Sequence, residues 1–143
     1  MAKTICKLLG VVLLLVGIVG LVPSDAARGL MGTHLSIVHS IVHIASGALA
    51  LYFGFAGTLS GARLFSLAFG AVYLLLGVVG FVAGTSQAVS PGMPGMSPDT
   101  HLFKPLQGVL ELGTMDHVVH LLLGLVFLVG GVMTRANITT DVD

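Results

Sequence analysis

The sequence predicts an all-α membrane protein: a polytopic transmembrane four-helix up-down bundle built from two parallel helix-hairpin repeats. Three observations predict it. Of 143 residues, 55% are hydrophobic and only 8% are charged, against roughly 25% charged in an ordinary soluble domain. Mean hydropathy is +1.05, so a soluble fold of this length would have nowhere to hide its apolar surface. Finally, the apolar residues fall into four runs, each close to the roughly 20 residues that cross a hydrocarbon core, and the runs echo one another in pairs.

The first run opens with Lys3 and Lys7 and continues through Leu8 to Val22. This is also the outline of a secretory leader, with Ser24-Asp25-Ala26 as a small-residue cleavage site. Its likeness to a later span, set out below, favours a retained helix over residues 5–22. A polar connection follows, and Thr33 is the expected N-cap of a second span over residues 35–57. Thr58-Leu59-Ser60-Gly61 reads as a tight turn, with Ser60 the expected cap of a third span over residues 62–83. So short a turn makes the second and third helices antiparallel neighbours.

Residues 84–113 differ in composition. Ala88 to Pro98 is too rich in proline and glycine to be helical. Leu102 to Leu112 is more apolar and is expected to lie half-buried along the membrane surface. The fourth span covers residues 115–133, and a polar tail ends a single integral membrane domain over residues 1–143. Four crossings put Lys3, Lys7, Arg63 and Arg135 on one face and Arg28 and Lys104 on the other. The positive-inside rule then makes both termini cytoplasmic, in a cell inner (plasma) membrane, with the Met/Pro-rich loop outward.

The echoes amount to an internal duplication. Gly10 to Val22 matches Gly70 to Val82, and His39 to Gly47 matches Asp116 to Gly124. The matching spans cross in the same direction, so a pseudo-twofold axis along the membrane normal relates the halves. His43 and His120 become equivalent positions on diagonal helices, at the outer end of the bundle. His39 is matched by Asp116, and Ser40 by His117. Residues four apart are separated by about 40° around a helix, so His39 shares a face with His43, and Asp116 with His120. Faces turned inward would bring three imidazoles and a carboxylate together, with His117 able to supplement or replace Asp116. Glycines at seven-residue spacing, such as Gly10/Gly17 and Gly70/Gly77, mark faces where helix backbones approach closely.

At these residues the chain resembles the bacterial four-span membrane proteins grouped as domain of unknown function 4383. The matching segments are His39–Leu51 (HSIVHIASGALAL), Gly70–Val82 (GAVYLLLGVVGFV) and Asp116–Gly131 (DHVVHLLLGLVFLVGG). The resemblance implies an integral membrane protein of four helices, and it implies no established activity.

Ionisable groups inside apolar spans are costly to desolvate, so each is a functional hypothesis by default. The leading class is a structural or accessory membrane protein, as in a subunit of a larger complex, whose buried polar groups form a hydrogen-bonded network that fixes helix register. Its partners are the lipid bilayer and, through helix faces, other membrane-protein subunits or a second copy. The alternative is a redox or metal-binding protein, with a transition metal on His39, His43, Asp116 and His120, or a haem with His43 and His120 as axial ligands. Proton passage lacks groups in the cytoplasmic halves of the spans. A copper-capturing outer loop would use Met31, His34, Met93, Met96 and His101. Zero net charge and the absence of a basic patch exclude nucleic acid. The single cysteine, Cys6, excludes an intrachain disulfide and reads as a small apolar packing residue. No catalytic triad, phosphate loop or carboxylate pair stands out, so no catalysis is expected. Glu111 is expected to be solvated, and Asn137-Ile138-Thr139 matches a glycosylation acceptor on the wrong side of the membrane.

Overall fold

The fold is a four-helix bundle carrying a small β-cap at one end, described for residues 1–135 of a computed structural model. Its long helices are α1 (Ala2–Leu21), α3 (Ile37–Phe55), α4 (Leu59–Ala83) and α5 (Thr114–Val132), all long and apolar enough to cross a membrane. Between α1 and α3 lie the short helix α2 (Asp25–Arg28) and a 3-10 turn (Leu30–Gly32). Each of the four long helices starts and ends within three residues of the bounds expected from the sequence. The glycosylation triplet at Asn137 lies outside the described residues.

Two expected caps shift by a few residues. Ser36, not Thr33, caps α3, its Oγ accepting from the His39 N–H at 3.2 Å. Thr58, not Ser60, caps α4, accepting from the Gly61 N–H at 3.0 Å. In each case the nearer hydroxyl takes an N–H that no carbonyl of the helix can reach.

The bundle is apolar outside and small or polar inside. Leu8, Leu15, Ile18, Leu64, Leu75, Val82, Leu122 and Val132 are exposed, a surface no monomer could keep in water. Buried positions on the same helices are largely Gly, Ala, Ser and His. The duplication is visible atom by atom. Gly10, Gly17 and Gly20 of α1 lie against Leu51, Ile44 and Ser40 of α3, and Gly70, Gly77 and Gly80 of α4 lie against Leu128, Leu121 and His117 of α5. Adding 60 to the number of each α1 residue, or 77 to each α3 residue, gives its counterpart in the second hairpin. Each hairpin is thus a tightly packed helix pair, and the pairs meet more loosely through an aromatic column. Phe53, Phe65, Phe127 and Tyr73 follow one another at centroid distances of 4.9, 5.9 and 6.3 Å, and Tyr73 reaches His120 at 5.5 Å. Cys6 is buried beside Ser66, in keeping with a packing role.

The cap corrects the expectation for residues 102–112. Strands β1 (Thr85–Gln87), β2 (Asp99–Leu106) and β3 (Leu110–Leu112) form an antiparallel sheet in the order β1-β2-β3. Leu102 and Leu112 are buried, so the apolar character seen in the sequence is the inward side of a hairpin folded over the bundle end. Glu111 is fully buried, not solvated. Its carboxylate accepts from the Ser90 and Gly108 N–H groups at 3.0 and 2.9 Å, with Lys104 Nζ at 3.8 Å. Burial pushes its pKa up, but these donors and the lysine outweigh that and hold it below the ordinary carboxylate value.

The opposite end is fastened by the Ala2 N–H donating to Thr134 Oγ1 at 2.7 Å and Arg63 Nε–H donating to the Gly131 carbonyl at 3.3 Å. Lys3, Lys7, Arg63 and Arg135 all lie toward that end, whereas Arg28 and Lys104 lie at the capped one.

Candidate functional site

Beneath the cap, α3 and α5 bring His39, His43 and His120 together. One ring nitrogen from each lies within 4.8 Å of the other two, and all three residues are buried. The tautomers follow from the partners. His39 Nδ1–H donates to the His34 carbonyl at 3.0 Å, because a carbonyl can only accept. That leaves His39 Nε2 bare, so His43 Nε2–H donates to it at 2.9 Å, and His43 Nδ1 becomes the bare nitrogen. Among the described residues, His43 Nδ1 and His120 Nδ1 are buried without a hydrogen-bond partner. Buried polar atoms in folded proteins nearly always have one.

Asp116 does not join them. Its carboxylate faces the other way, accepting from the backbone N–H of His34 at 3.0 Å, from His34 Nδ1 at 3.2 Å and from Gly113 N–H at 2.7 Å. The expected convergence of three imidazoles and a carboxylate is therefore one of three imidazoles, because His34, reaching over from the loop before α3, and the Gly113 N–H at the start of α5 offer the carboxylate three nearer donors. His117 does not substitute: its Nε2–H donates to the His101 carbonyl at 2.8 Å, and its ring lies against Gly80, where a Cβ would collide with it.

His34 was not expected here. It is fully buried, sandwiched between Gly95 and Gly113, either of which would strike the ring if it carried a Cβ. Its Nε2 faces the Met96 carbonyl at 3.3 Å while Nδ1 faces Asp116, so both nitrogens meet acceptors. Burial lowers its pKa, but Asp116 outweighs burial and holds it above the usual imidazole value. Asp99 braces the same corner, accepting from Thr114 Oγ1 at 2.6 Å and from the Thr114 and His101 N–H groups. Burial raises the Asp99 pKa, and these donors bring it below its ordinary value. The copper-loop set is not assembled either. His34 is fully engaged, His101 packs on Phe81 at 5.4 Å with its Nδ1 beside Thr100, and Met31 is exposed on a positive-φ turn.

A cavity of about 320 Å³ adjoins the three histidines, with Ser46 and Tyr73 also in its lining. Its remaining walls are apolar, drawn from α3, α4 and the β2–β3 hairpin. The site thus joins a buried cluster of underbonded imidazoles to an oily chamber.

The model of the family described as domain of unknown function (DUF4383) matches residues 3–103. The chain belongs to that family. No curated protein and no solved structure matches it. The match runs from α1 into β2, so His39 and His43 of this DUF4383 chain fall within it, while β3 and α5, with His120, lie beyond.

Proposed function

We propose that this protein is an integral membrane protein of the inner (plasma) membrane that holds one late-transition-metal ion on His39, His43 and His120. Both termini and the Lys3–Arg63–Arg135 end would face the cytoplasm, and the β-cap would face outward, in line with the positive-inside rule. Other membrane-protein subunits, or a second copy, would be met through the lipid-facing helix surfaces.

The observation that carries the metal reading is the convergence of three buried imidazole nitrogens within 4.8 Å. The His39 arrangement adds to it. A ligating imidazole ordinarily gives its other N–H to a carbonyl or carboxylate, which fixes the ring, and His39 Nδ1 does so to the His34 carbonyl. An ion would take the place of the His43-to-His39 hydrogen bond, and three imidazoles beside a cavity suit copper or zinc with a fourth position free. All three ligands are neutral, so a singly charged copper ion leaves less charge to bury than a doubly charged one. Haem is disfavoured. The third imidazole, His39, stands with its Nε2 only 2.9 Å from His43 Nε2, where an iron ligated by that nitrogen would have to sit.

Metal analysis of the purified full-length chain, loaded separately with copper(I) and zinc(II), tests the reading. One equivalent per chain is expected, lost in His43→Ala and His120→Ala and kept in Asp116→Asn. Substoichiometric metal under both loadings, or loss in Asp116→Asn alone, would overturn it.

A further inference from the structure

The cavity beside the histidines has a mouth, a roof and a floor of different chemistry. Val42 of α3 and Val72 of α4 stand at its edge and are 49% and 53% exposed on the outer surface of the bundle, where lipid would lie. Pro105, Leu110 and Leu112 of the β2–β3 hairpin close it from above. His39, His43, His120, Ser46 and Tyr73 form its polar part. We propose that this cavity binds a neutral, membrane-soluble molecule with a hydroxyl-bearing aromatic head, of the quinol or phenol class, which enters sideways from the bilayer between α3 and α4.

Four properties select that class. The lining holds no cation, so a phosphate or carboxylate headgroup would be stripped of water without a counter-charge. The hairpin roof stands between the cavity and the aqueous side, which favours a solute already dissolved in lipid. The volume of about 320 Å³ lies at the small end of ligand pockets, enough for one substituted ring with its tail left between the helices. Last, the histidines lack partners that an entirely apolar guest could not supply. His43 spends its N–H on His39, so its remaining nitrogen can only accept and calls for a donor. A hydroxyl donates and also accepts, and so serves His120 in either tautomer. A quinone carbonyl or an ether oxygen can only accept.

This inference uses the same histidines as the metal reading but does not require a bound ion, so the two can fail separately. The full-length chain is reconstituted in lipid nanodiscs, stripped with chelator, and titrated with a radiolabelled short-tailed hydroquinone and with its dimethyl ether. Saturable binding of one hydroquinone per chain is expected, at least about tenfold tighter than the ether, a difference of about 1.4 kcal/mol. Val42→Trp and Val72→Trp, each at an exposed position on one side of the mouth, are expected to weaken it by at least about tenfold while leaving metal loading unchanged. Equal binding of the ether, non-saturable uptake, or indifference to both tryptophans would overturn the proposal as simple partition into lipid. Saturable, mouth-dependent binding to a chain that takes up no metal would sustain it while removing the metal reading.

Discussion

His117 and Gly80 fix the closest approach of α4 and α5 near the cap, since a Cβ on Gly80 would enter the imidazole. Overfilling a packed contact typically costs about 1–3 kcal/mol. Gly80→Ala should therefore lower the thermal midpoint in detergent, and His117→Ala in the same chain should recover part of the loss. Strict additivity of the two substitutions would show that they do not share the contact. Residue by residue, the sequence revealed which histidines meet but not which way Asp116 faces. The four-residue spacing put Asp116 on the same helix face as His120. What no periodicity could reveal was that His34, 82 positions earlier in the chain, would be folded back to claim the carboxylate. His34 itself looked like a loop residue near methionines, because the glycines that sandwich it come from two distant segments, at Gly95 and Gly113.

The β-cap is the element whose stability should follow pH most plainly. Glu111 has a pKa below its ordinary value in the folded cap. Its contribution is therefore complete above the unfolded carboxylate pKa, about 4.3, and is lost as pH falls through the lower folded value. Hydrogen exchange at the Ser90 and Gly108 amides should accelerate, relative to the intrinsic rate, only on that acid side. Glu111→Gln should weaken the cap at neutral pH and flatten this acid response; an unchanged profile would show that the carboxylate is not what holds the hairpin. Ser36 joins cap to bundle, capping α3 while donating to the Val109 carbonyl at 2.8 Å. Ser36→Ala should cost about 0.5–2 kcal/mol, the usual penalty for a lost N-cap, read as a drop in unfolding midpoint. The four spans were legible because lipid demands long apolar runs. The cap was not, because the three-residue strands β1 and β3 are too short to display an alternating pattern, the eight-residue β2 does not alternate between buried and exposed positions, and Pro and Gly between them read only as loop.

As a whole, the molecule is two hairpins joined along their length by the aromatic column and tied by hydrogen bonds at both ends. The cap end is joined by His34 to Asp116 and Ser36 to Val109, and the far end by Ala2 to Thr134. Spin labels at the cap ends of α3 and α5 should give one narrow distance, broadened in Asp116→Asn combined with Ser36→Ala, while labels within either hairpin stay unchanged. Broadening inside a hairpin instead would mean that the glycine faces need the cap to stay closed. Topology is checked with single cysteines in a Cys6→Ser background. Gln107→Cys should react with an impermeant maleimide from outside intact cells, and Leu59→Cys only after lysis. The reverse order would invert the proposed orientation. The duplication was readable from the echoed segments, matched glycines among them, and the physical cause of the glycine match is general: in lipid, close packing depends on small residues, so the packing code stays visible in the sequence.

The place where the two halves differ has a consequence for how such a centre can exist at all. His39 in one hairpin stands where Asp116 stands in the other. Two separate, identical hairpins would have to repeat one choice, giving either four rings crowded on the axis or a pair of opposed acids with no third ring. Joining unlike copies in tandem frees one copy to supply the third imidazole and the other to supply the carboxylate that holds His34 in place.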